Sequence, residues 1–192
     1  MPATATSKTC ALLIVPITVL LCLLAGTMAA QAQDIRTRLT VFDNVGNSTD
    51  LRIGIVASAS DGIDPALGEV ILPAPPPNTF DARLVDTDFR SPSILGTGVL
   101  RDFRGIYTAP PIAQTFEVRV RRDPLAANLW MRWDLPLGTG ISSLRITSYP
   151  DPTIVDVDMS STAQIELPAG VNRDIIEAVY GDPPPTRYTL NT

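Results

Sequence analysis

Strict two-residue alternation is the feature that most limits what this chain can fold into. In Phe116-Glu117-Val118-Arg119-Val120-Arg121 the apolar residues fall on one face and the charged residues on the other. Leu129-Trp130-Met131-Arg132-Trp133-Asp134-Leu135 repeats the pattern, with Leu129, Met131, Trp133 and Leu135 together and Trp130, Arg132 and Asp134 opposite. A period of two is the mark of a half-buried strand, because successive side chains leave a strand on opposite sides. The six residues Asp123 to Asn128 fit a hairpin connection, which would lay Glu117, Arg119 and Arg121 beside Arg132 and Asp134 on one solvated face.

Further strands are expected at Ile35–Phe42, Leu51–Ile55, Phe80–Val85, Leu144–Ile146, Ile154–Met159 and Ala163–Leu167. Asp43 to Asn47 reads as a turn. Ser58 to Asn78 reads as a long acidic, proline-rich loop, and Thr87 to Pro111 as irregular chain. Asp174–Tyr180 fits either a short helix between Asn172 and Gly181 or a last strand, and a strand is expected. Composition agrees: 16 of the 20 acidic residues are Asp and only 4 are Glu, with 18 prolines. Asp and Pro favour turns, whereas Glu favours helix interiors. The expected class is all-β: a single antiparallel β-sandwich, immunoglobulin-like or jelly-roll-like, spanning residues 33–181. The two Leu-Gly-Thr-Gly stretches, 95–98 and 137–140, read as turns. Pro73-Ala74-Pro75-Pro76-Pro77 reads as a stiff crossover or an edge cover, since proline cannot pair in a central strand.

The first 32 residues read as a cleaved signal peptide. Lys8 is the only charge before Asp34, Ala11–Ala25 is an apolar stretch too short for a comfortable membrane span, and Ala30 and Ala32 place an A-x-A cleavage site after Ala32. Removing this segment takes away both cysteines and the only lysine, and leaves 160 residues with 14 arginines against 20 acids, a net charge of −6. The expected location is therefore outside the cytoplasm: the medium, the outer cell surface or the periplasm. A chain of this length can bury about 70% of its unfolded surface in one core without disulfide staples. Its acidity argues against nucleic acid as a partner. Residues 182–192 read as a proline-rich tail or truncated linker.

Absences narrow the chemistry. With no histidine, and no cysteine or lysine after residue 32, Ser-His-Asp, Cys-His and Ser-Lys systems and histidine- or cysteine-ligated metals are excluded from the processed chain. Only carboxylates remain for acid–base work, with Asp156 and Asp158 on one strand face as the candidate glycosidase pair, or simply a solvated face. A hard, oxygen-ligated cation such as Ca²⁺ is a second candidate, held by Asp61, Asp64 and Glu69 in one loop, or else those residues are turn formers. Trp133 is expected in the core. Trp130, on the opposite face beside Arg132, is a candidate sugar platform or arginine-stacking ring.

Asp61-Gly62-Ile63-Asp64-Pro65-Ala66-Leu67-Gly68-Glu69, Leu72–Pro77, Phe80-Asp81-Ala82-Arg83, Trp133–Pro136 and Val155–Met159 resemble segments of uncharacterised secreted bacterial β-sandwich proteins. Those proteins often carry a type IX secretion sorting domain, which has no counterpart here. The resemblance implies a secreted or surface module and no active site. The expected function is a non-catalytic structural or interaction module at the cell surface or in the medium, with surface proteins as partners. The alternative is a carbohydrate-binding module, Ca²⁺-dependent or not, that binds polysaccharide through Trp130, Arg132 and the 61–69 loop. A carboxylate-dependent glycosidase is a third reading.

Overall fold

The computed structural model describes residues 34–60, 62–85, 97–105 and 111–181. The expected signal segment 1–32, Asp61 and the tail 182–192 lie outside them, as does much of the stretch 87–111.

Among the described residues ten strands follow one another: β1 (Ile35–Asp43), β2 (Ser48–Ile55), β3 (Asp81–Val85), β4 (Arg101–Arg104), β5 (Ile112–Arg121), β6 (Leu129–Trp133), β7 (Ile141–Ser148), β8 (Asp156–Asp158), β9 (Gln164–Glu166) and β10 (Arg173–Tyr180). They form two five-stranded sheets, ordered β4-β2-β1-β6-β9 and β3-β5-β10-β7-β8. The fold is all-β, and its two sheets are compatible with a β-sandwich. One pairing departs from the antiparallel expectation, because β2 and β4 run parallel. The reason is topological: β3, which lies between them in the chain, belongs to the other sheet, so the chain returns to the β2 edge in the same direction.

Alternation decides what is buried. Leu39 and Val41 of β1, Leu51 and Ile53 of β2, and Met131 and Trp133 of β6 share one cluster with Phe116 and Val118 of β5, Leu144 and Ile146 of β7, and Ile176 and Ala178 of β10. A buried polar link reinforces the cluster. The Trp133 indole N–H donates to the Met159 carbonyl at 2.7 Å, and the Met159 N–H donates to Leu144 O at 2.8 Å. The expected core position of Trp133 is thus occupied. Between β1 and β2, Asp43 closes the expected turn by accepting the Val45 N–H (3.0 Å), the Asn47 N–H (2.8 Å) and Asn47 Nδ2 (2.7 Å). Gly46 supplies the left-handed backbone there, with φ of 101°. Burial alone would raise the Asp43 carboxyl, but these bonds outweigh it and hold it below its ordinary value.

The hairpin expected between Phe116–Arg121 and Leu129–Leu135 does not form. β5 lies between β3 and β10, and β6 lies between β1 and β9, so the Asp123–Asn128 connection passes from one sheet to the other. Both strands point their apolar faces inward, and facing each other across the core satisfies that demand as well as lying side by side. The crossover is tied to the β1–β2 turn, where Asn128 N–H donates to Asn44 Oδ1 (3.0 Å) and Asn47 Nδ2 to Asp123 Oδ2 (3.3 Å). Glu117, Arg119 and Arg121 therefore lie in a different sheet from Arg132, Asp134 lies beyond the end of β6, and Glu117 is not solvated but only 3% exposed.

β4 falls in chain expected to be irregular. Arg101-Asp102-Phe103-Arg104 has one apolar residue and no alternation to read. Phe103 instead joins Val56, Ala59 and Leu67 in a second, small cluster. The proline run lies beside β3, as an edge cover would. Pro73 O accepts Arg83 Nη1 at 2.9 Å, and the neighbouring backbone closes isolated bridges from Leu72 to Gly98 and from Leu84 to Val99.

β10 is the expected last strand, and it buries one unexpected group. Asp174 has the same parity as Ile176, Ala178 and Tyr180, is 0% exposed, and neither carboxylate oxygen has a hydrogen-bond partner. Burial pushes its pKa up to about 7. The folded state thus holds a proton that the unfolded chain, with a pKa near 4, releases. Stability from this group is full below about pH 4, falls as the pH rises from 4 to 7, and is lost above 7. The change amounts to about 4 kcal/mol for a shift of about 3 units. Asp174→Asn, which cannot ionise, is expected to be more stable than the parent at pH 8 by a few kcal/mol and near-equal at pH 4. Urea unfolding at the two pH values tests this, and a difference that does not change with pH would refute it.

Candidate functional site

Trp130 and Arg132 project from the outer face of the first sheet. The β1–β6 register sets Phe42 opposite Trp130 and Thr40 opposite Arg132. The Phe42 and Trp130 rings stack with centroids 5.5 Å apart and planes inclined by 23°, and the Arg132 guanidinium lies 5.1 Å from the Phe42 ring centre. The structure thus unites the two expected residues and adds a third that the sequence reading overlooked. The available signal was parity: Phe42 shares its face with Arg36, Arg38 and Thr40, where a large aromatic ring is out of place.

The acidic loop is held by its own backbone. Glu69 is buried, accepting the Asp64 N–H at 2.8 Å through one oxygen and the Phe103 N–H at 2.6 Å through the other. Burial pushes its carboxyl above the ordinary value despite these bonds. Asp64 accepts the Ser60 N–H at 2.6 Å and the Ser60 hydroxyl at 3.1 Å. Glu69 therefore staples the loop to β4 and Asp64 ties it to Ser60, while Asp61 lies outside the described residues. Among the described residues no group of three or more acidic, histidine or cysteine side chains is gathered to hold a metal ion.

Asp156 and Asp158 stand exposed on β8. Asp156 grips Arg145 through a fork of 2.6 and 2.5 Å, and that pairing depresses its pKa. Asp158 accepts the Ser160 N–H (2.9 Å) and hydroxyl (2.7 Å), which lower its pKa as well. Both are held ionised, whereas a glycosidase acid must carry a proton near neutrality.

A different constellation dominates the second sheet. Alternation places Asp81 and Arg83 of β3, Glu117, Arg119 and Arg121 of β5, and Arg173 of β10 on its outer face. The registers set Arg83 and Arg173 on either side of Arg119, and Asp81 opposite Arg121. With neighbouring strands about 4.8 Å apart, the three arginines form a row across the sheet. Together with Arg122, Pro75, Thr97 and the 170–173 segment they line an open cleft of ≈ 540 Å³. Gly98 packs closely against Arg83: a Cβ there would lie 2.7 Å from Arg83 Cδ and 2.6 Å from Leu84 O. The Gly-Thr-Gly stretch read as a turn thus ends in a close backbone approach.

Two carboxylates organise the arginines. Asp81 holds Arg83 in a fork of 2.6 and 2.5 Å, and Arg83 is 4% exposed. Glu117 bridges Arg119 Nε (2.7 Å) and Arg173 Nη2 (2.5 Å). Arg121 Nε donates to Thr79 O at 3.0 Å, and Arg122 Nη2 donates to Pro168 O at 2.8 Å and to Leu167 O. The Arg173 guanidinium also lies 3.8 Å from the centre of the Tyr149 ring. Three buried donors remain without partners: Arg121 Nη2, Arg122 Nε and Arg173 Nε. Each unsatisfied buried donor costs roughly 1–3 kcal/mol, more when charged. Five arginines against two carboxylates leave an excess of positive charge here, in a chain whose net charge is −5. Sequence reading missed this site because its arginines looked like the solvated side of separate strands.

Glu69→Ala is expected to destabilise the fold by roughly 2–4 kcal/mol, since it strands the Asp64 and Phe103 N–H groups together. Urea unfolding measures this, and a loss below about 0.5 kcal/mol, the ordinary surface range, would show that the staple is dispensable. In comparisons with known proteins, no family model, no curated protein and no solved structure matches this chain.

Proposed function

We propose that this chain is an exported, non-catalytic interaction module, acting at the cell surface or in the medium after loss of residues 1–32, and that it binds its partner in the arginine cleft. The fold is read as a β-sandwich of immunoglobulin-like or jelly-roll-like kind. One observation carries the reading: five arginines of an acidic chain line a single concavity, three of them held by Asp81 and Glu117 and two by backbone carbonyls. Preorganised arginines suit recognition of an anionic group, because their planar forks lose little freedom on binding. The absence of histidine anywhere, and of lysine and cysteine after residue 32, supports binding over catalysis.

A second reading has its own support. The Phe42–Trp130 stack with Arg132 is an aromatic surface of the kind that takes the apolar face of a sugar ring, as in a carbohydrate-binding module.

Affinity electrophoresis separates the two. Retardation of the purified chain in gels carrying an anionic polymer is expected to weaken as salt rises, since the screening length drops to about 3 Å at 1 M. It is expected to fall markedly in Arg121→Ala and to persist in Trp130→Ala. Retardation by neutral glycans alone, abolished in Trp130→Ala, would replace the first reading by the second.

A further inference from the structure

Asp174 is the most deeply buried carboxyl among the described residues, and neither of its oxygens has a partner. Its place in the strand matters as much as its burial. It is the second residue of β10, and the strand is entered through the exposed residues Pro168, Ala169 and Gly170. Gly170 has φ of 92°, and a Cβ there would meet nothing within 4 Å, so the space around this turn is open. No charged side chain answers Asp174 from the elements around it. Parity sends Glu117 and Arg119 of β5, Arg145 of β7, Asp156 and Asp158 of β8, and Arg173 and Glu177 of β10 to the outer face. The residues set opposite Asp174 are Val118 and Ser148. The Ser148 hydroxyl is itself engaged, donating to Asp151 O and accepting the Val155 N–H. On the inner side of the first sheet, Asp43 is held by the Val45 and Asn47 N–H groups, and Asp102 is paired with Arg104.

We infer that Asp174 is a proton-operated latch: with its proton it seats the first residues of β10 between β5 and β7, and on losing the proton it releases residues 172–174 while the rest of β10 stays paired. A buried carboxylate without donors must reach water, and the shortest way out is the nearby strand end. Release there breaks two backbone bonds, from Val120 N–H to Asn172 O and from Tyr149 N–H to Arg173 O, both 3.0 Å. It also frees Arg173 from Glu117 and from the Tyr149 ring. Beyond Asp174 the strand is anchored, since Ile176, Ala178 and Tyr180 all belong to the apolar cluster. Tyr180, whose buried hydroxyl also lacks a partner, brings no charge to the far end, because burial pushes its pKa further above the ordinary value. The sign follows from linkage. A released Asp174 ionises near pH 4 and a seated one near pH 7, so the released fraction rises with pH across that window and levels off above it. Asn172 and Arg173 line the arginine cleft, so that side of the cleft moves with the latch. The latch itself does not depend on what the cleft binds.

Amide hydrogen exchange of the full chain, read residue by residue between pH 5 and pH 8 and corrected for the intrinsic rate, tests the latch. The reporting amides are Val120 and Tyr149, which donate to residues 172 and 173, and the reference amides are Arg145 and Ala178, deeper in the same pairings. Val120 and Tyr149 are expected to be less protected than the reference pair, by at least tenfold at pH 8. Their open fraction is expected to rise roughly fiftyfold to a hundredfold from pH 5 to pH 8. In Asp174→Asn, which carries no proton to lose, that rise is expected to vanish. Asp174→Leu, which removes the carboxyl without leaving a buried amide, is expected to behave alike, and the parent's own profile needs no variant at all. Protection of Val120 and Tyr149 equal to that of Arg145 and Ala178 would overturn the latch, because the strand end would then open only with the whole fold. An open fraction that does not change with pH, or a rise that persists in both variants, would overturn it as well.

Discussion

The fold depends on one demand: the apolar half of every alternating strand must leave water, and a lone sheet has no way to meet it. Two sheets facing each other do. The indole of Trp133 sits where that demand is most concentrated. Its ring is packed among the core side chains, and its N–H is answered by the Met159 carbonyl at the end of β8, in the other sheet. A buried indole without that acceptor would carry the cost of an unmade hydrogen bond. The position of the β8 end is therefore coupled to β6, although the two strands never pair.

The strands themselves were legible in the amino-acid pattern, because parity is a local property. Ile35–Phe42, Leu51–Ile55 and Leu129–Trp133 each announce an inner and an outer face, and the observed strands respect those faces, whereas Leu135, expected on the inner face, lies beyond the end of β6 and is exposed. Partners are not local. Nothing in Phe116–Arg121 says whether its neighbour is β6 or β10, and a short connection made the wrong neighbour look natural. β4 escaped notice because its hydrogen bonds to β2 need no apolar alternation. The ring stack was half visible: Trp130 and Arg132 could be found on one strand, while Phe42 entered only through the register of β1 against β6. The arginine cleft was invisible, since Arg83, Arg119 and Arg173 become neighbours only after three strands pair.

The same carboxylates read differently once their surroundings are known. In an acidic loop, Glu69 has the look of a cation ligand. In the fold it is an acceptor for two backbone donors, and it joins the loop to β4. Glu117 has the look of a surface charge, yet it bridges two arginines from beneath. Asp174 is the converse case, a carboxyl placed among apolar side chains with no donor to meet it. Residue type gave each of these an identity, and the neighbours assigned the work.

The edges of the two sheets have a bearing on how such a chain behaves among its own copies. β4, β9, β3 and β8 are the outermost strands, and each is five residues or fewer. Alongside β3 runs a stretch of four prolines, which lack the N–H groups that a docking strand would require. Short or covered margins give a foreign strand little to pair with. Among the described residues, the margins of both sheets therefore offer a neighbouring copy little free backbone along which either sheet could be extended.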